Sequence, residues 1–237
     1  MGCSLCTYGD ATASVSPGGV KIYGASVSAN SMGCAMIVTE ANVGSMESVN
    51  LMAKEQMKPE FLAKNPFHHI PVLSDGNVHI GESGPILRYV AMKYFKDAYP
   101  GSKDVKKSAM IDFALTSGQT EVYPKMAKIV YPVMGFGPAA DDKAVAAAEL
   151  AKVVDTWFEH FCKGTDFVSG NSPTIADYYM APFLFAAIQP AVVEKSGYTP
   201  SARSVAYVDK FCKTVKSSSL LSDGGMSIKS FIASKAS

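Results

Sequence analysis

Asn65-Pro66-Phe67-His68-His69-Ile70-Pro71-Val72-Leu73-Ser74-Asp75-Gly76-Asn77-Val78-His79-Ile80-Gly81-Glu82-Ser83 reads as an apolar strand, a tight turn at Asp75-Gly76, and a second short strand. Asp-Gly between two β-type runs is a strong hairpin signal, because glycine accepts the positive φ such turns need. Pro71 is tolerated at the first position of a strand, where no ladder donor is required. It is also a candidate cis-proline, which would turn the backbone of Ile70 outward with its N–H and C=O open to a ligand. Glu82-Ser83 then opens a helix, so a hydroxyl and several unpaired N–H groups face any incoming carboxylate.

Upstream, Val20-Lys21-Ile22-Tyr23 is a short strand, and an apolar-periodic stretch over 29–41 predicts a helix. Residues 47–51 alternate weakly and read as a second strand, and 59–63 form a short helix with proline in its first turn. A helix from 83 to about 95 follows the hairpin. This β-α-β-α-β-β-α order predicts a thioredoxin-like α/β domain over 20–97, preceded by a flexible tail over 1–19 rich in small residues. Residues 98–102 are a linker, and 104–237 show helical periodicity with no convincing strand, which predicts an all-α C-terminal domain.

Within that domain, 106–133 reads as one long helix bent or broken around Tyr123-Pro124 and Tyr131-Pro132. A glycine-rich turn over 134–138 precedes a helix over 141–163 that carries the single tryptophan, Trp157. Thr174 and Asp177 form a capping box with aspartate in place of the usual glutamate. The apolar run 178–188 behind it predicts a buried helix. Residues 203–217 and 227–233 would be the last two helices.

The 237 residues are 48% hydrophobic and 18% charged, which describes an ordinary globular protein with a real core. A net charge of +1 and the lack of a basic run argue against a nucleic-acid partner. No stretch of about twenty apolar residues predicts a membrane span. No charged segment followed by an apolar core opens the chain, so secretion is not expected. Five cysteines in no dense pattern fit a reducing compartment, with cytoplasm as the default. Cys3-x-x-Cys6 lacks a second ligand pair, which argues against a metal site. Met1-Gly2-Cys3 has the opening of an acylated N-terminus, but Cys6 stands where that pattern places serine or threonine.

Asn50-Leu51-Met52-Ala53, Lys58-Pro59-Glu60-Phe61-Leu62, Asn65-Pro66-x-His68-x-Ile70-Pro71 and Glu82-Ser83, in that order, resemble the glutathione-binding half of soluble glutathione transferases. The likeness is nearest to the serine-using delta, theta and phi classes and covers roughly residues 20–235. It implies a homodimer that conjugates reduced glutathione, as co-substrate, to small hydrophobic electrophiles, with no metal and no other cofactor.

The same resemblance assigns residues. In a thioredoxin-like domain the reactive position lies at the loop-to-helix junction after the first strand, here Ser26-Val27-Ser28-Ala29-Asn30-Ser31. No cysteine stands there, which disfavours a disulfide reductase. A serine hydroxyl can instead donate to the sulfur of glutathione and hold it as thiolate. Ser28 aligns best with that role, Ser26 and Ser31 are fallbacks, and a plain helix cap is the bland alternative. Gln56, His68 and His69 would meet the glycyl end, the Ile70 backbone the cysteinyl segment with Pro71 setting its geometry, and Glu82 and Ser83 the γ-glutamyl group. Tyr123, Met126, Tyr131 and Met134 would line the pocket for the second substrate.

Three departures stand out. Gln56 replaces a histidine, Gly84 stands where many relatives have arginine, and the helix after Ser28 lacks the usual arginine. They leave room for a non-catalytic scaffold like the elongation factor gamma subunit or lens-type crystallins, or for a carrier of apolar ligands.

Overall fold

The computed structural model describes residues 19–223 and 227–235. The tail, Cys3-x-x-Cys6 and the Gly2-Cys3 acylation pattern lie outside the described residues.

The order of elements is β1 Val20–Gly24, α1 Ala29–Glu40, β2 Gly44–Ser48, α2 Pro59–Leu62, β3 Val72–Asp75, β4 Val78–Gly81 and α3 Ser83–Tyr94, followed by helices alone. The sheet has the order β2-β1-β3-β4. β1 pairs parallel with β2, while β3 pairs antiparallel with both β1 and β4. The second strand lies at Gly44–Ser48, earlier than the 47–51 that its weak alternation suggests. Parallel pairing with β1, in the register Val20↔Gly44 to Gly24↔Ser48, sets its position rather than its own side chains.

The helical half comprises α4 Val105–Ser117, a π-helical turn Gly118–Val122, α5 Tyr123–Met134, α6 Lys143–Phe161, α7 Ile175–Ala187, α8 Pro190–Ser196, α9 Ala202–Thr214 and α10 Ile228–Ala233. The long helix expected over 106–133 is therefore two helices joined by the π turn. Pro124 has no N–H to offer the carbonyl of Thr120, and the wider turn accommodates that gap. α8 escaped the periodicity reading because it is only seven residues long. Its signals were present, with Pro190 in the first turn and Gly197 at φ 74° just past the end.

α7 is the core helix, buried on every side except at Phe185 and packed against α1, α3, α4, α5 and α9. The approach of α1 to α7 depends on Gly33, where an added Cβ would stand 2.4 Å from the carbonyl oxygen of Tyr178. Neither backbone can yield without shifting a packed helix. Gly33→Ala should therefore lower unfolding free energy by about 1–3 kcal/mol, read as a lowered midpoint in chemical denaturation.

Two polar clusters anchor α3, one within the α/β half and one to the helical half. The buried Asp75 carboxylate accepts from Tyr89 (2.8 Å), Lys93 (2.7 Å) and Tyr94 (2.6 Å), which ties the hairpin to α3. Burial alone would lower the Lys93 pKa, but these hydrogen bonds and Asp75 outweigh it and hold the ammonium well above its usual range. Across the linker, Arg88 on α3 donates Nε and Nη2 to Asp112 on α4 at 3.1 and 2.6 Å, and Tyr99 donates to the other oxygen at 2.8 Å.

Candidate active site

A cleft of about 630 Å³ lies between the α/β half and the helical half. Its α/β wall is built mainly by three chain segments, with Leu51 and Gln56 added from the stretch before α2. The first is the β1–α1 junction, where Ser28 is the N-cap of α1 with extended backbone (φ −94°, ψ 113°). The Ser28 Oγ accepts the N–H of Ser31 at 3.3 Å. That bond uses a lone pair and leaves the hydroxyl proton free to donate. Ser31 does not reach the cleft: it is fully buried, with its Oγ accepting the N–H of Ala25 at 3.3 Å. Ser26 does not line the cleft.

The second segment is the loop before β3. Asn65, itself buried, shapes this loop by donating Nδ2 to the carbonyl of His69 at 2.9 Å and accepting the Phe67 N–H at 3.1 Å. His68 sits in the left-handed region at φ 49°, and the Ile70–Pro71 peptide bond is cis. His68, His69, Ile70 and Pro71 all line the cleft, as does Gln56 from the turn before α2. Gln56 Oε1 is buried with no hydrogen-bond partner among the described residues, a condition that favours a bound donor.

The third segment is the start of α3. Glu82 precedes it at φ 63°, ψ 127°, an unusual conformation for a residue with a Cβ, and such strain persists where surrounding structure enforces it. The first-turn N–H groups of Ser83 and Gly84 have no intrahelical acceptor and form an anion-binding end. The Ser83 hydroxyl donates to Asn30 Oδ1 at 3.2 Å, which joins the start of α3 to the start of α1.

The opposite wall is aromatic. Tyr123 and Tyr131 share a hydrogen bond of 3.0 Å between their hydroxyls, with Phe136 and Tyr179 beside them. Burial, reinforced by the Tyr123 contact, pushes the Tyr131 phenol up, and burial does the same for Tyr179, so both stay neutral. Met126 and Met134 do not line the cleft; both are buried in the core of the helical half. α5 also packs on α6, α7 and α8, and its methionines belong to that core.

Asn30, Gln119, Tyr179, Phe136, Val27 and Leu51 also line the cleft without having been singled out by sequence. Asn30 is separated by only one residue from Ser28, and that proximity was the available signal; Gln119 and Tyr179 carry none. Among the described residues no cysteine lines the cleft. Cys34 is buried on α1, its thiol 3.8 Å from the carbonyl of Ser83, and burial pushes its pKa up, away from the reactive thiolate. No group of three or more His, Cys, Asp or Glu residues suited to a metal occurs among the described residues. No helix among them is long and apolar enough to cross a membrane.

Comparison with known proteins gives this cleft a context. The family model of the glutathione S-transferase N-terminal domain matches residues 22–98. Glutathione S-transferase F10 of Arabidopsis thaliana is 35% identical over 166 residues, 65% of this chain and 75% of that protein. The chain belongs to the glutathione S-transferase family. Glutathione S-transferase 3 of Zea mays is 29% identical over 179 residues, 72% of this chain and 80% of that protein. Among solved structures, a glutathione transferase of Bombyx mori superposes with a TM-score of 0.76 over 94% of this transferase and 99% of that one, at 21% identity. That likeness establishes the shared fold: a thioredoxin-like α/β part followed by an all-α part. A glutathione S-transferase solved with lactoylglutathione bound gives a TM-score of 0.68 at 24% identity, covering 85% and 99% of the two chains.

Proposed function

We propose that this transferase conjugates reduced glutathione to small hydrophobic electrophiles and that the Ser28 hydroxyl holds the bound sulfur as thiolate. The observation that carries the serine role is the geometry of the cap: Ser28 Oγ accepts from Ser31, so its proton is available on the lip of the cleft. In this reading Gln56, His68 and His69 receive the glycyl end, Ile70 pairs its backbone with the cysteinyl segment, and Glu82 and Ser83 hold the γ-glutamyl end. A thiolate so placed attacks an electrophilic carbon, a carbon–sulfur bond forms, and the leaving group departs with the bonding pair. The thiol proton has already gone to solvent. The neutral phenols of Tyr131 and Tyr179 with Tyr123 and Phe136 form a wall suited to an apolar second substrate.

The division into a glutathione-binding domain over 20–97 and a helical domain over 104–237, a homodimeric state and a cytoplasmic location complete the proposal. Glutathione enters as co-substrate, with no metal or further cofactor in the scheme.

The test is the ultraviolet titration of thiolate in the glutathione-bound protein. The bound thiol should ionise well below the free value of about 8.5. Binding with an unshifted thiol would favour a scaffold or carrier, and no binding at all would remove the proposal.

A further inference from the structure

We propose that Gln119 is a positioning residue for the γ-glutamyl end of glutathione, reaching from the helical half into space left open by Gly84. The inference rests on the glutathione-binding reading above.

Gln119 belongs to the π-helical turn Gly118–Val122, and such turns push side chains out of the ordinary helical register, frequently at functional sites. The turn is seated firmly, because a Cβ on Gly118 would lie 2.9 Å from the sulfur of Met180 on α7. From there the amide of Gln119 comes over the start of α3. A Cβ built on Gly84 would stand 3.1 Å from Gln119 Nε2 and 3.3 Å from Oε1. The bare glycine and the incoming amide therefore fit as a pair, and a Cβ at position 84 would push the amide tip by a few tenths of an ångström.

The chemistry at this end of the cleft has a place for it. A γ-glutamyl group presents a zwitterion, whose ammonium needs acceptors and whose carboxylate needs donors. Glu82 supplies an acceptor. The first-turn N–H groups of Ser83 and Gly84 offer donors to the carboxylate, but the Ser83 hydroxyl proton already goes to Asn30 Oδ1 at 3.2 Å, so no side chain at the start of α3 adds another. Gln119 lines the same cleft, and its amide makes no hydrogen bond among the described residues. An amide offers both donor and acceptor without adding charge beside Glu82.

Steady-state kinetics with glutathione and a chromogenic dinitroaryl halide provide the test. Gln119→Ala should raise KM for glutathione about tenfold, with kcat and the KM for the aryl halide changed by less than about twofold. Gly84→Ala, whose Cβ meets only the end of this flexible side chain, should give a smaller loss in the same direction, and the double variant should lose little more than Gln119→Ala alone. The penalty should fall below about twofold with at least one of two analogues, glutaryl-Cys-Gly, which lacks the ammonium, or 4-aminobutyryl-Cys-Gly, which lacks the carboxylate. An unchanged KM for glutathione in Gln119→Ala, or one penalty common to all three thiols, overturns the inference while a working wild type keeps the transferase reading. A wild type that neither binds nor turns over glutathione removes both.

Discussion

Ser28→Ala is expected to lower kcat/KM for glutathione conjugation by about 10²- to 10³-fold, the usual loss when one preorganised donor to a developing or resting anion is removed. The hydroxyl has two functions that must be separated. As the N-cap of α1 it accepts the Ser31 N–H at 3.3 Å, and replacing a capping serine by alanine costs about 1 kcal/mol of stability. Glycine at an N-cap costs only a few tenths. Ser28→Gly should therefore keep the wild-type denaturation midpoint nearly intact while losing the same activity as Ser28→Ala. pH separates them further. Without the serine the bound thiol ionises close to its free value of about 8.5, so the gap between wild type and variant should narrow as the assay pH rises past that value. Ser31→Ala, at a buried hydroxyl that binds Ala25, should lose stability and little activity. Full activity in Ser28→Gly would reduce the serine to a cap.

Asp177→Ala should cost about 3–5 kcal/mol of unfolding free energy, a large share of the 5–15 kcal/mol typical of a folded chain. The buried carboxylate gathers the N–H of Val168 (3.1 Å), the N–H and Oγ1 of Thr174 (both 2.7 Å) and the hydroxyl of Tyr207 (2.7 Å). Alanine would leave these donors without an acceptor at the point where α7, α9 and the preceding loop meet. Most of the variant should be found in inclusion bodies or unfold far below the wild-type midpoint.

The same residue gives a pH signature. Burial pushes the Asp177 carboxyl up from 3.8 to about 6, against the pull of its four donors. The folded protein thus holds a proton over a range in which the unfolded chain has released it. The contribution of this group is fully present below about 3.8 and is lost as pH rises through about 6, by roughly 3 kcal/mol in all. Asp177→Asn, which keeps the shape but cannot titrate, should lack that slope between pH 4 and 6. Parallel slopes in the two proteins would show that Asp177 is ionised throughout.

The hairpin, the cis bond before Pro71, the helix opening at Ser83 and the Thr174–Asp177 box were all legible in the sequence, since each is written in a few adjacent residues. Turn glycine, proline geometry and capping chemistry act over one to four positions, so the chain states them directly. The register of β2 and the break at Gly118–Val122 were less legible, because pairing with β1 and packing on α7 fix them from a distance.

Among the serines at the β1–α1 junction, sequence left three open, and only the fold shows Ser31 buried and Ser28 on the cleft. The aromatic stripe of α5 likewise gave no phase: Tyr123 and Tyr131 face the cleft while Met126 and Met134 fill the core. The sequence determined the order of elements in the α/β half and the local geometry of the loop before β3, because short-range sterics and hydrogen bonds suffice for both. The tertiary structure alone decided which hydroxyl lines the cleft and which residues from α4–α7 complete the site, because those depend on how helices far apart in the chain turn toward one another as they pack.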